Sequence, residues 1–519
     1  MFSYLMDAFR LARAGFRLAR HDALVPKEYA ARAPAGLRLL GAASRLFSGK
    51  NREARPGRRL ARALEGLGPA YIKLGQFLAT RPDMVGREIA EDLRALQDRL
   101  APFPETDARA ALAAEFGARA EEIGALGPAI AAASVAQVHR ARLADGREAA
   151  VKILRPGVER ACARDLRAFA RAARLIEALF PQSRRLEPRK FIDTVAQSVR
   201  IELDLRMEAA AADELAENMR ENKQFRVPKV YWEFCGRRVF AMEWINATPI
   251  TDHAALDAAG VDRKALAAQV MQSFLTQALH HGFFHADTHN GNLMIDAEGR
   301  LAVVDFGIMG RLDAKTRRYF AEILFGFLNR DYVRVAEVHI EAGYIPAHHP
   351  VPLVAQALRS VGEPIVGRDA RNLSMAKLLA QLFEITALFG MHMRPELVLL
   401  QKTMVTTEGV ARELDPAHNL WASAEAVVEK WMTENLGPQG QLRTAADGAV
   451  QMGRILQNLP ETLRKAEMAA AYVSEEGLRL DPDTIDSLAA AQARRARASQ
   501  RALWAAIGAA AVAVLSQIF

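Results

Sequence analysis

The chain has 519 residues, half of them apolar and a quarter charged, an ordinary globular composition with enough length for two to four domains at about 150 residues each. Its two cysteines, Cys162 and Cys235, are far apart and form neither a metal-ligand spacing nor a disulfide framework, which points to a reducing compartment. Arg and Ala are frequent throughout, so the net charge of +8 and pI near 9.5 either reflect composition or select a partner; with no zinc-finger spacing, RNP-type aromatic motif or basic-region zipper, a selected partner would be an anionic membrane surface or a nucleotide rather than a nucleic acid.

Residues 1–60 read as basic helices. The opening MFSYLMDAFRLARAGFRLAR is not a secretory signal, because Arg10, Arg13, Arg17 and Arg20 interrupt its apolar residues. It reads as a basic amphipathic helix suited either to a membrane surface or to packing on the body of the protein. Residues 61–126 form a helical unit broken at Gly66, Gly68, Pro82, Pro102 and Pro104. Residues 127–250 change character: short β-branched or apolar runs at 130–154 and 227–244 flank a charged helical stretch, 158–222. Residues 251–475 are helical except for a strand-rich segment at 283–309. Residues 476–500 are polar and Arg/Ala-rich and read as a tether. The last stretch, 501–519, holds the uncharged run ALWAAIGAAAVAVLSQIF behind Arg494, Arg495, Arg497 and Arg501, with Trp504 at an interfacial position. A spanning helix needs about 17 to 20 apolar residues, and arginines on this flank would leave the body cytoplasmic. The other reading of the run is a soluble helix docking on a partner. No internal repeat is present. A small β-rich part followed by a helical part is the order of a two-lobe kinase.

The chemistry concentrates in HADTHNGNLMIDAEGRLAVVDFG, residues 285–307. It sets His285, Asp287, Asn292 and Asp305 in the order of a phosphoryl-transfer site. A catalytic-loop Asp orients the nucleophile, and an Asn five residues on and the Asp of an Asp-Phe-Gly turn hold the metal ions that bridge nucleotide phosphates. Upstream, EAAVKILRPG places Lys152 on a strand, where it would meet the α/β-phosphates. Ala131, Ala132, Ala133 and Ser134 stand where a kinase carries its Gly-rich loop; small side chains still admit a phosphate, but alanine makes the loop stiffer. In SVRIELDLRMEAAA, Glu208 is read as the ion-pair partner of Lys152, and Glu202 and Asp204 as pointing toward the metal site. RVFAMEWINATPI supplies a strand and the linker between lobes, with Glu243 and Ile245 beside the adenine.

These motifs, with KLGQ at Lys73–Gln76, resemble the UbiB family of atypical kinase-like proteins of ubiquinone biosynthesis over nearly the whole chain. The resemblance implies an α+β, protein-kinase-like two-lobe fold with an N-terminal KxGQ helical extension, a helical insertion in the N-lobe and a C-terminal hydrophobic helix. It implies Lys73 and Gln76 near the nucleotide, ATP or ADP with Mg2+ as cofactors, and a restrained, ATPase-like activity. The residues that match are Lys152 and Glu208 as the ion pair, Asp287 as the catalytic-loop Asp, and Asn292 and Asp305 as metal ligands. The His-x-Asp opening is also similar to that of small-molecule kinases of the aminoglycoside phosphotransferase type. The partners implied are a lipid membrane, polyprenyl-quinone precursors and other ubiquinone-biosynthesis proteins, at the cytoplasmic side of a bacterial inner membrane. A kinase acting on a small molecule or protein, and a nucleotide-sensing scaffold with little turnover, are the competing expectations. A hydroxylase finds no support, since the chain has no flavin-type G-x-G-x-x-G after a strand and no iron-ligand cluster.

Overall fold

The computed structural model describes residues 2–23, 55–79, 81–93, 96, 101–179, 181–366, 381, 388–391 and 395–437. A first compact unit runs from Met1 to Met432; a second, Thr433–Phe519, lies almost wholly outside the described residues, and with it the tether 476–500 and the hydrophobic run 501–519. Among the described residues no helix is long and apolar enough to cross a membrane.

Strands β1 (Leu126–Ala132), β2 (Ala136–Arg142), β3 (Glu148–Leu154) and β5 (Val239–Glu243) make the small-lobe sheet, antiparallel in that order. Lys152 lies between Val138 and Phe240 in the register. Ala149, Val151 and Ile153 point to one face and are fully buried against Ala108 and Leu112 of a helix over Glu105–Phe116. The period of two therefore turns Lys152 to the opposite face, toward the cleft.

The N-terminal helices pack around this lobe. α1 (Phe2–Arg20), α2 (Pro56–Glu65), α3 (Pro69–Ala79), α4 (Arg87–Leu93) and α5, the Glu105–Phe116 helix, precede the sheet. The insertion after β3 consists of α6 (Val158–Leu179), α7 (Pro188–Glu202) and α8 (Leu205–Met219). α1 lies on α6 through Arg10–Asp165 at 3.2 Å and an Arg171–Asp7 pair. Of the two readings of the basic N-terminus, the structure shows packing on the body, while Met6, Phe9 and Phe16 stay exposed. α3 carries the KxGQ segment. Tyr71 sits edge-on to Phe169 of α6 at 4.7 Å. A Cβ at Gly75 would meet the terminal methyls of Leu96 at 2.4 Å and Leu64 at 2.7 Å, so any larger residue there would force these two leucine side chains to shift. α8 buries Leu205, Glu208, Ala209, Ala212, Leu215 and Met219, an i, i+3, i+4 stripe that includes one carboxylate.

The larger lobe has two small sheets. β4 (Phe225–Arg226), β9 (Leu301–Val303), β8 (Leu293–Asp296) and β6 (Ala247–Pro249) form one; β7 (Phe283–His285) and β10 (Met309–Arg311) form the other. Around them lie α9 (Arg263–Thr276), α10 (Ala314–Leu328), α11 (Tyr332–Glu341), α12 (Val351–Val366) and α13 (Pro395–Leu414). The sheet edges, the insertion helices and α13 share one hydrophobic core. The two-lobe, kinase-like α+β expectation is met.

Candidate active site

Strand pairing assembles the site. Leu293 of β8 lies opposite Val303 of β9, and the ladder continues one step as Val304 N–H donates to the Asn292 carbonyl at 3.0 Å. Asn292 is thereby set beside the Asp-Phe-Gly turn. On the other side of the loop, His285 of β7 lies opposite Met309 of β10, and Ala286 N–H donates to the Ile308 carbonyl at 3.0 Å. Asp305 itself takes a left-handed backbone, φ +69°, which costs an aspartate less than most residues. The turn sends successive side chains opposite ways: Phe306 is buried at 1% exposure, whereas the Asp305 carboxylate is 52% exposed in the cleft.

His285 locks the two loops together. A five-residue π-turn, Gln277–His281, presents buried Gln277, whose Oε1 accepts from His285 N–H at 3.0 Å. His285 Nδ1 accepts from Asp287 N–H at 3.3 Å, so the ring proton is on Nε2, which donates to the Asp305 carbonyl at 2.6 Å. Burial pushes this histidine's pKa down and keeps it neutral. A histidine depressed in the folded state adds stability above its ordinary value near 6.5, lost as pH falls through the folded value. His285→Asn should therefore flatten part of the fall in melting temperature on acidification below about pH 6.5. An unchanged pH profile of Tm would rule the role out.

Next along the loop, Gly291 N–H donates to His289 Nδ1 at 3.0 Å, which leaves a proton on Nε2, 3.6 Å from Asp287 Oδ2. Among the described residues no Lys or Arg pairs with Asp287, so its carboxylate is not tied to a fixed cation. Asn292 Nδ2 donates to the Asp287 carbonyl at 3.0 Å; a carbonyl only accepts, so the amide oxygen is the atom left for a cation.

Lys152 Nζ reaches both Glu208 Oε1 at 2.6 Å and Asp305 Oδ1 at 3.1 Å. Two carboxylates share one ammonium. Burial works against the ammonium, but Asp305 and Glu208 outweigh it and hold Lys152 charged. Lys152 keeps Asp305 well below the usual carboxylate range. Burial pushes the deeper Glu208 up to about 7 against the pull of Lys152. Of the two carboxylates, Asp305 is therefore the one held down and Glu208 the one pushed up.

The other residues read from the sequence are placed as follows. Lys73 Nζ is 2.7 Å from Glu202 Oε1, both largely buried. Asp204 is the N-cap of α8: its carboxylate accepts from Arg206 N–H at 3.2 Å and from the Arg206 guanidinium at 2.8 and 2.6 Å, which holds its pKa low. Glu202 and Asp204 do not join Asp305 in a metal-holding group; among the described residues no three His, Cys, Asp or Glu side chains assemble into one. Ala131 and Ala132 pair with Val138 and Gln137, and Ala133 N–H donates to the Ala136 carbonyl at 2.8 Å. The Ala-rich loop is therefore a closed turn over Ser134 and Val135, both buried, tied down by Arg155 Nε to the Ala133 carbonyl at 2.9 Å. Glu243 ends β5 with its carboxylate on Arg226 at 2.8 Å, Ile245 is buried, and Gln76 is half-buried on α3. Sequence reasoning missed His289, although its place two residues after Asp287 was in view, and missed Thr403 and Thr407, which reach the loop from α13. A solvent-open depression of roughly 510 Å³ lies between them, lined by His289, Asn290 and Gly291 on one side and Thr406, Gly409, Val410 and Glu413 on the other.

The oxygen donors fit a small hard cation. Asp305 and the Asn292 amide oxygen are too few for a fully protein-coordinated ion, but they suit magnesium, which keeps most of its positions for water and phosphate.

An antiparallel small lobe with a Lys–Glu pair, joined to a helical lobe with a His-x-Asp loop and an Asp-Phe-Gly turn, defines a protein-kinase-like protein. Residues 95–339 match the ABC1 atypical kinase-like domain and residues 358–419 the UbiB helical domain. The chain belongs to the UbiB family. It is 38% identical over 422 residues to the probable protein kinase UbiB of Pseudomonas putida strain W619, covering 79% of this chain and 78% of that one. Against the protein of the same name from Marinobacter nauticus the identity is 39% over 394 residues, covering 75% and 72%. The structure of the Rv3197–erythromycin complex from Mycobacterium tuberculosis aligns with a TM-score of 0.49 and 23% identity over 76% of this chain and 97% of that one, too distant a likeness to bear on chemistry.

Proposed function

We propose that this chain is a membrane-associated atypical kinase or ATPase that binds Mg-nucleotide in the cleft and supports ubiquinone, or other polyprenyl-quinone, biosynthesis. The observation that carries the reading is the Lys152–Glu208–Asp305 cluster beside Asn292 and an Asp287 without a cationic partner among the described residues. Lys152 neutralises phosphate charge, Asp305 and Asn292 hold the cation, and Asp287 orients an attacking hydroxyl or water and takes its proton. Bound magnesium would neutralise the charge on the phosphates. The backbone of the Ala131–Ser134 turn flanks the phosphates, and the Glu243–Ile245 linker flanks the base.

Here residues 61–126 are the restraining KxGQ extension, 127–250 the nucleotide lobe and 251–475 the catalytic lobe and its helices; the tether 476–500 and the hydrophobic run 501–519 lie outside the described residues. The net charge of +8 and the exposed Met6 and Phe9 beside Arg13 and Arg20 on α1 support attachment to an anionic membrane.

Lys73 and Glu202 supply the restraint by pinning α3 to the end of α7. Lys73→Ala should change nucleotide preference or turnover while the protein stays folded; wild-type kinetics and preference would make the lysine purely structural. The whole reading is tested by nucleotide turnover of the purified full chain with and without anionic liposomes and quinone-precursor mimics, followed by a search for phosphorylated products. No turnover and no nucleotide binding under any of these conditions would refute it.

A further inference from the structure

The residues of the catalytic loop alternate in what they touch. His285, Asp287 and His289 serve the cleft: one bonds the Asp305 carbonyl, and the other two face each other. Ala286, Thr288 and Asn290 are held by α13. Thr288 Oγ1 lies 2.7 Å from Thr407 Oγ1. The Thr407 hydroxyl donates to the Thr403 carbonyl at 2.8 Å, so the proton between the two threonines comes from Thr288. Thr403 Oγ1 divides its proton between the Leu399 carbonyl at 2.8 Å and the Ala286 carbonyl at 3.2 Å. Asn290 Nδ2 donates to Glu413. Thr403 and Thr407 are one helical turn apart and at most 1% exposed, and buried hydroxyls of this kind keep their geometry because water cannot replace the partner.

α13 lies within the UbiB helical domain, outside residues 95–339 that match the kinase-like domain. We infer that Thr407 of α13 is a positioning residue for Asp287: the Thr288–Thr407 bond, with its neighbours on either side, sets where the catalytic-loop carboxylate stands, so the helical domain controls catalysis without touching the nucleotide site. The inference rests on the phosphoryl-transfer reading above. Lys152, Asp305 and Asn292 make their contacts within the kinase-like domain. Disturbing Thr407 should therefore move the attack geometry and leave nucleotide capture alone.

Thr407→Val keeps the shape and removes the acceptor, which strands the Thr288 hydroxyl in a dry seam; Thr407→Ser keeps the acceptor and loses only a methyl group. The measurement is kcat and KM for Mg-ATP on the full chain, with Tm as the folding control. Expected is a kcat lower by about 10- to 100-fold in Thr407→Val, as a misplacement near 1 Å would give, with KM and the Mg-ATP thermal shift at wild-type values and kcat largely restored in Thr407→Ser. A Thr407→Val kcat within about twofold of wild type overturns the inference. So does an equal loss in Val and Ser variants that follows their loss in Tm, since that would be a packing effect. A wild-type chain that binds Mg-ATP without turnover also overturns it, whereas one that binds no Mg-ATP refutes the reading of the site itself.

Discussion

Asp305→Asn should remove Mg-nucleotide binding while leaving a folded protein. Among residues with a side chain, asparagine is well suited to the left-handed backbone held at φ +69°, and it keeps an oxygen for the Gly307 N–H, 3.2 Å away in the native chain. What it loses is the charge. Lys152 holds the Asp305 carboxyl well below the usual carboxylate range, and a neutral amide cannot replace a carboxylate in a site that offers one carboxylate and one amide oxygen. Turnover should fall by about two to three orders of magnitude, the scale for removing one preorganised electrostatic group. The thermal shift produced by Mg-ATP should vanish. A variant stabilised by Mg-ATP as fully as the wild type would take the metal away from Asp305.

Lys152→Ala should destabilise the protein in a pH-dependent way. It leaves Glu208, 8% exposed, beside Asp305 with no cation between them. Breaking a buried ion pair from one side costs about 3–5 kcal/mol when the remaining charge cannot escape. Here Glu208 can escape by binding a proton. Its folded pKa is already raised from 4.5 to about 7, with burial as the cause and Lys152 opposing it. A carboxyl raised on folding adds stability that is complete below its unfolded value and lost as pH rises through the folded one. In the wild type that loss is confined between 4.5 and about 7. Without Lys152 the folded value moves further up, and the loss continues above neutrality. The gap in Tm between wild type and Lys152→Ala should widen from about pH 6 to about pH 8.5, and adding Glu208→Gln should abolish the widening. A gap independent of pH would mean that Glu208 is not the titrating group.

Much of this site could be read in the chain because its parts are local. The spacing from His285 to Asp305 spans one loop and one hairpin, and Leu293 opposite Val303 is enough to bring Asn292 to the turn. Lys152 follows from the two-residue period of a strand whose other face is Ala149, Val151 and Ile153. Glu208 follows from its place in an apolar helical stripe. Glu202 and Asp204 were harder. Asp204 directly precedes a helix and takes the role that aspartate has at an N-cap, a signal present in the sequence but outweighed by the Glu-Leu-Asp motif. Glu202 finds Lys73 across more than a hundred residues, a contact that no local pattern reports. The grip of α13 on the loop is of the same kind: Thr403 and Thr407 are ordinary helix residues until the fold brings Ala286 and Thr288 to them. The closed Ala-rich turn depends on Arg155, which the reading of small residues at 131–134 did not include.

The most direct test of the account is a calorimetric titration of ATP into the full chain with magnesium and again with the metal chelated. Expected are one saturable site per chain in magnesium, and binding lost or severely weakened on chelation, because Lys152 alone would then face the phosphates while Asp305 repels them. Binding of equal strength with and without magnesium, or no binding in either, would contradict it.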